Sequence, residues 1–242
     1  MMKIDLNCDL GESFGAYTIG QDEEMMKYVD SVNIACGFHA GDPLVMMKTV
    51  EQALSHGLKI GAHPGLPDLQ GFGRRSMAIN PHEAYSIILY QVGALQAIVK
   101  AKGGTLTHVK PHGALYNMAA RDAELSQSIA RAVRDIDDSL ILFGLSGSEL
   151  TSAGNEAGLT VAHEVFADRT YQSDGSLTPR SLPNSVLHDA DKVEDQVMMM
   201  VKRQEVVTAN GEVISIQADT ICLHGDNIEG VSLARRLKEK LS

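Results

Sequence analysis

Apolar and polar side chains alternate with a period of two in several short stretches, and longer stretches of helical apolar spacing separate them. In residues 3–9, Ile4, Leu6 and Cys8 share one phase and Asp5, Asn7 and Asp9 the other. Successive strand side chains point to opposite faces, so this strand has an apolar face and a polar face. Residues 31–38 repeat the pattern, with Val32, Ile34, Cys36 and Phe38 against Asn33 and His39. Residues 58–63 set His63 against Ile60 and Ala62, and residues 220–223 run into His224 and Asp226 opposite Ile221 and Leu223. The stretch 106–117, LTHVKPHGALYN, reads as extended: His108, Lys110 and His112 fall at i, i+2 and i+4, with Thr107, Val109 and Pro111 behind them. Residues 139–145 and 160–166 complete a set of seven predicted strands.

The intervening helices carry their own start and stop signals. Asp42 followed by Pro43 predicts an N-cap with proline at the first helical position, and Gly57 closes that helix after His56. Asn80 with Glu83 three residues on predicts a capping box for a long helix to about Lys102, stopped by Gly103 and Gly104. Further helices are predicted over 122–136, from after Gly147 to between Gly154 and Gly158, over 189–204, and after Asn227. Residues 167–185 form a long irregular segment of the kind that builds a lid or binding loop. Asn210-Gly211 between 206–209 and 212–216 predicts a β-hairpin with a two-residue turn.

Alternating strands and helices imply parallel strands with right-handed crossovers. In an open sheet covered on both sides the strands would be apolar on both faces; one polar face per strand instead predicts a closed β/α barrel with a polar interior. A single such domain over residues 1–242, with the hairpin as a small insertion, suits the chain length. The net charge of −10 and the lack of a Lys/Arg block argue against a nucleic-acid partner. No apolar run approaches the roughly 20 residues of a membrane span, and the first strand follows the start directly, so the expectation is a soluble cytoplasmic protein with no membrane partner. Cys8, Cys36 and Cys222, on the apolar phases of predicted strands, read as buried reduced thiols.

In β/α barrels the reactive groups stand at the C-terminal ends of the strands. Asp9, Glu12, His39, Asp42, His63, Lys110, His112, Glu164, Asp168, His224 and Asp226 meet that description, whereas His56, His82 and His188 belong to helix ends. Such a ring could hold a divalent metal and activate water, or act without metal as acids and bases, with Lys110 and Arg169 stabilising an anion. No HExxH pair is present, and spacing leaves the metal open. Gly71-Phe72-Gly73-Arg74-Arg75 is a plausible clamp for a carboxylate or phosphate. Gly144-Leu145-Ser146-Gly147-Ser148 lacks the final glycine of a nucleophile elbow, and helix capping explains Ser146.

The blocks DLNCDLGESFG (5–15), NIACGFHAGDP (33–43), GAHPGLPD (61–68), GFGRR (71–75), VKPHGALYN (109–117), EVFADRTY (164–171) and LHGDN (223–227) resemble the LamB/YcsF lactam-utilisation family, which includes the A component of bacterial 5-oxoprolinase. The resemblance implies a distorted seven-stranded β/α barrel of the glycoside hydrolase/deacetylase type, ATP-dependent opening of 5-oxoproline to L-glutamate, and 5-oxoprolinase subunits B and C as partners. ATP is implied by the family alone, because the chain has no GxxxxGK[ST] phosphate loop. Under this reading the catalytic candidates are Asp9, His39, His63, Lys110, His112, Asp168, Arg169, His224 and Asp226. Lys110 and Arg169 would steady a phosphoryl or oxyanion charge, and Asp9, His112 or Asp226 would handle protons. The substrate-binding candidates are Asn7, Glu12, Arg74, Arg75, Asn117 and Glu164, with Arg74 or Arg75 on the substrate carboxylate. The alternatives are a metal-dependent carbohydrate or amide deacetylase acting alone, and a non-catalytic substrate-binding subunit.

Overall fold

The structure, a computed structural model, describes residues 4–223 and 228–241. Seven parallel strands close into a barrel: β1 (Asp5–Leu10), β2 (Ser31–Ala35), β3 (Lys59–His63), β4 (Leu106–Val109), β5 (Ile141–Leu145), β6 (Val161–Phe166) and, after the hairpin strands β7 (Glu205–Val207) and β8 (Val213–Ser215), β9 (Thr220–Leu223). Closure runs through β9, which pairs Thr220 with both Asp5 of β1 and Glu164 of β6. The helices are α1 (Asp22–Met25), α2 (Pro43–Ser55), α3 (Pro81–Ala101), α4 (Gly113–Ala119), α5 (Ala123–Ile136), α6 (Glu149–Glu156), α7 (Ala190–Arg203) and α8 (Ile228–Leu241).

The period-two pattern divides the strands as expected. Leu6, Cys8, Val32, Ile34, Ile60, Ala62, Val109 and Leu142 belong to the buried apolar core, while Asn7, Asn33, His108 and Thr220 are linked by hydrogen bonds across the barrel interior. Gly61 leaves room for that interior: a Cβ there would lie 2.1 Å from His108 Nε2. The caps form as the sequence predicts. Asp42 accepts from the N–H groups of Leu44 and Val45, and Asn80 and Glu83 make a reciprocal capping box. α3 is the one described helix long and apolar enough to cross a membrane by length and composition; Ile88, Val92, Leu95 and Val99 on it are buried in the core.

Three local expectations are corrected. In the 106–117 stretch the named strand ends at Val109 and the extended backbone, with Lys110 and His112 N–H donating to Ala62 O and Pro64 O, ends at His112, where Gly113 with a left-handed φ of +52° opens α4 in place of further strand. β2 ends at Ala35, so a turn with Gly37 N–H donating to Ala40 O at 2.8 Å, rather than strand alternation, carries His39 inward. The hairpin loop is longer than two residues: pairing stops at Val207 and Val213, Gly211 alone in the turn has positive φ (+88°), and its N–H donates to Thr208 O. A primed two-residue turn with Asn-Gly at its centre needs both residues left-handed, and Asn210 is not.

Candidate active site

A connected column of polar side chains fills the barrel. At the N-terminal end of the strands, Asp5 Oδ2 accepts from Ser31 Oγ (2.6 Å) and Thr220 Oγ1 (2.7 Å). Asn7 Nδ2 donates to Thr220 Oγ1 (2.8 Å) and Glu164 Oε1 (3.0 Å), and Asn33 Nδ2 donates to Asn7 Oδ1 and Asp9 Oδ1, both at 2.8 Å. His108 stacks on Phe143 at 4.2 Å between centroids and meets Asn33 Oδ1 through Nε2 at 2.8 Å. Lys110 stands at the centre of the column. Its ammonium lies 2.8 Å from Asp9 Oδ1, 2.9 Å from Glu164 Oε1 and 3.1 Å from Cys222 Sγ, and Tyr116 Oη donates to Glu164 Oε2 at 2.7 Å.

A histidine cluster sits at the C-terminal end of the strands. His63 Nε2 is 3.3 Å from Asp9 Oδ2 and 3.0 Å from His112 Nδ1; its Nδ1 meets Lys110 O at 2.7 Å. His112 Nε2 meets Phe72 O at 2.8 Å, and its ring stacks on His39 at 3.6 Å, parallel within 1°. Glu12 Oε1 lies 3.3 Å from His39 Nε2 and 3.6 Å from His112 Nδ1. Phe72 holds a left-handed φ of +56°, a conformation costly for a bulky residue, and its carbonyl faces His112. Gly73 beside it tolerates no side chain, since a Cβ would stand 2.6 Å from His39 Cβ and 2.9 Å from His112 Cδ2.

Above this floor opens a cavity of about 710 Å3, of the size that takes a small organic ligand. Asp9, Glu12, His63, Lys110 and His112 line it on one side, and Phe72, Arg74, Tyr116, Asn117, Phe166, Arg169, Leu177 and Arg180 on others. The long 167–185 segment supplies much of the wall. Arg169 holds it in place, donating from Nε to Ser185 O (3.0 Å) and from Nη2 to Thr178 O (2.5 Å).

Burial and charge sort the protonation states. Burial alone would raise the Asp9 carboxyl, but neighbouring His63 and the hydrogen-bonded Lys110 ammonium hold it well below the carboxylate range. Burial opposes the Lys110 charge, yet Asp9, Cys222 and Glu164 carry its value well above the usual lysine range. Burial pushes Glu12 up, with His112 offsetting part of the rise. Burial, with neighbouring histidines, takes His39 and His112 well below the usual imidazole value, and burial beside Lys110 takes His108 down to about 3. At neutral pH the floor therefore offers an ionised Asp9, a charged Lys110 and neutral rings at His39 and His112, suited to stabilising an oxyanion and moving protons.

The LamB/YcsF family profile matches residues 4–242. The chain belongs to the LamB/YcsF family. It is 61% identical over 241 residues to the A component of 5-oxoprolinase from Geobacillus kaustophilus, covering 100% of this chain and 94% of that protein. It is 58% identical to the corresponding 5-oxoprolinase component of Bacillus subtilis, again over 241 residues, with 100% and 94% covered. A crystal structure of a lactam utilization protein from Thermus thermophilus superposes with a TM-score of 0.93 at 45% identity, covering 99% of this chain and 96% of that one.

Within this LamB/YcsF barrel the candidate residues fall into distinct places. Asp9, Glu12, His63, Lys110, His112, Arg74, Arg169 and Asn117 line the cavity, and His39 packs directly behind His112. Asn7 and Glu164 are fully buried and can reach a ligand only through Lys110 or Tyr116. Arg75 turns away from the cavity to pair with Asp68, holding that carboxyl at about 2, and Asp168 is not among the lining residues; its backbone carbonyl anchors Leu187. His224 and Asp226 lie outside the described residues. Cys8, Cys36 and Cys222 are buried free thiols of the core as expected, and Cys222 in addition meets the Lys110 ammonium of the polar interior through Sγ. Sequence reasoning left out Tyr116, Phe166 and Arg180; Tyr116 lies one helical turn after His112, a signal hidden by reading that stretch as extended.

Proposed function

We propose that this chain is the A component of an ATP-dependent 5-oxoprolinase that works in the cytoplasm with B and C components to open 5-oxo-L-proline to L-glutamate. The observation that carries the reading is identity of 61% to the A component of a 5-oxoprolinase over the whole chain. The site chemistry supports it. A five-membered lactam is a stable amide, and phosphorylation of its carbonyl oxygen by ATP makes the ring carbon electrophilic. Water then adds, the C–N bond breaks as the ring nitrogen takes a proton, and hydrolysis of the resulting acyl phosphate releases phosphate. Lys110 would meet the negative charge that develops on oxygen. Asp9, ionised on the cavity wall, would take the proton from water and return it to the ring nitrogen. Arg74, stacked on Phe72 at 4.9 Å on the cavity wall, would hold the substrate carboxylate.

The test is formation of glutamate and ADP from 5-oxoproline and ATP by this chain alone and with the B and C components. Coupled formation only in the complete mixture is expected. No turnover there, with hydrolysis of another amide by this chain alone and without ATP, overturns the reading in favour of an independent amidohydrolase.

A further inference from the structure

Two hydrogen bonds at the floor of the cavity determine where the imidazole protons are. His63 Nδ1 faces the carbonyl oxygen of Lys110 at 2.7 Å, and His112 Nε2 faces that of Phe72 at 2.8 Å. A carbonyl oxygen only accepts, so each of these outer nitrogens carries its ring's hydrogen. With one hydrogen per ring, that leaves His63 Nε2 and His112 Nδ1 as bare lone pairs that point at one another across 3.0 Å, with Asp9 Oδ2 3.3 Å from the same His63 nitrogen. Glu12 Oε1 stands 3.6 Å from His112 Nδ1, and His39 Nε2 stands 3.3 Å from the same oxygen. Lone pairs and a carboxylate converging on one point repel unless a cation lies between them.

We propose that Glu12, His39, His63 and His112 bind one divalent transition-metal ion of the zinc class. Their four donor atoms lie within 4.8 Å of one another. Ligand atoms about 2.0–2.1 Å from a tetrahedral ion stand about 3.3 Å apart; three of the six separations, 3.0, 3.3 and 3.6 Å, bracket that spacing, and the other three lie within 4.8 Å. Three imidazoles and one carboxylate suit zinc, cobalt or nickel better than magnesium or calcium. The two backbone carbonyls are the outer partners that fix ring orientation in metal-binding histidines. Gly73 keeps the cluster tight by leaving space for His39 and His112. Glu12, His63 and His112 line the cavity, so the ion has an open side toward it. His39 is the weakest ligand, because among the described residues its Nδ1 has no hydrogen-bond partner to orient the ring.

The inference does not depend on the oxoprolinase reading, and its test is read on the isolated chain without substrate. Metal-stripped protein is titrated with Zn2+ by calorimetry and with Co2+ by visible absorption, and the bound metal is counted after gel filtration. One equivalent, a four-coordinate Co2+ spectrum and a higher melting temperature are expected. His63→Gln and His112→Gln should weaken binding by at least about 100-fold, Glu12→Gln and His39→Gln by about 10-fold, and the exposed His82→Gln not at all. Circular dichroism identifies any variant that fails to fold, and Glu12→Gln, which keeps the side-chain shape, then supplies the comparison. Wild-type uptake no greater than that of His63→Gln overturns the proposal and leaves a shared proton between His63 and His112 as the bridging charge.

Discussion

Replacing Lys110 by methionine tests the central pair of interactions most directly. The ammonium is 2% exposed and touches carboxylates on both sides, Asp9 at 2.8 Å and Glu164 at 2.9 Å. With an effective dielectric of about 20, each contact carries roughly 6 kcal/mol of attraction, most of it offset by removing the ions from water. Methionine fills similar volume but leaves the carboxylates together and uncompensated, so the expected loss is about 3–5 kcal/mol, or roughly 6–20 °C in melting temperature for a domain of this size. Without the ammonium, Asp9 retains His63 and Asn33, and Glu164 retains Asn7 and Tyr116.

The same pair fixes how wild-type stability varies with pH. In the wild type the Asp9 value lies below its unfolded value of about 3.9, so its contribution is complete above that pH and is lost only as pH falls through the folded value. Lys110 is raised, so its contribution is complete below about 10.4 and is lost only at more alkaline pH. Between about pH 5.5 and 7.5 the wild-type pair is therefore flat. Urea unfolding followed by circular dichroism at both pH values measures the difference between variant and wild type, and Lys110→Met/Glu164→Gln should recover at least part of the loss. Equal midpoints for Lys110→Met and wild type would refute the pairing argument.

Two further outcomes follow from the same reasoning. His108 is held at about 3, so keeping it neutral contributes fully above its unfolded value of about 6.5 and costs the fold about 1.4 kcal/mol per unit as pH drops from there toward 3; His108→Gln should flatten the acid limb of the urea-midpoint profile by about one proton, and superimposable profiles would count against the assignment. Asp42 caps α2 through Leu44 and Val45 and also accepts from Gly15 N–H at 2.8 Å, so Asp42→Ala should lower unfolding stability by about 1–2 kcal/mol while Asp42→Ser recovers most of it; a loss confined to a few tenths would show that the cap contributes little.

The barrel was legible because its interior is polar. Period-two alternation exposed Asn7, Asn33, His63 and His108 as one set, and the pattern remained informative past the end of β4 for a physical reason. Lys110 N–H and His112 N–H still donate to Ala62 O and Pro64 O, so the backbone stays extended after Val109 and both side chains keep the inward phase. The helix that begins at Gly113 was missed because apolar residues 114–116 carry neither period clearly in so short a run. Arg74 and Arg75 are adjacent, and only the distant Asp68 carboxylate decides which of them turns away. The hydrogen bonds that set the His63 and His112 tautomers use backbone carbonyls, which leave no mark on side-chain patterning.

The energetic cost of the column is itself an argument about its purpose. A buried ion pair seldom stabilises a fold more than apolar side chains of the same volume would, and removing one member of such a pair is strongly destabilising. Lys110, Glu164, Asn7, Asn33 and His108 are each at most 2% exposed, so the barrel centre carries that cost where leucine or valine would pack without it. The polar contacts run without a break from Asn7 through Glu164 and Lys110 to Asp9, and Asp9, Lys110, His63 and His112 open onto the cavity. A network serving folding alone could end anywhere in the interior. This one ends at the C-terminal mouth of the strands, where Asn7 and Asn33 fix Asp9 and Lys110 from beneath, so a ligand meets charges whose positions are already set.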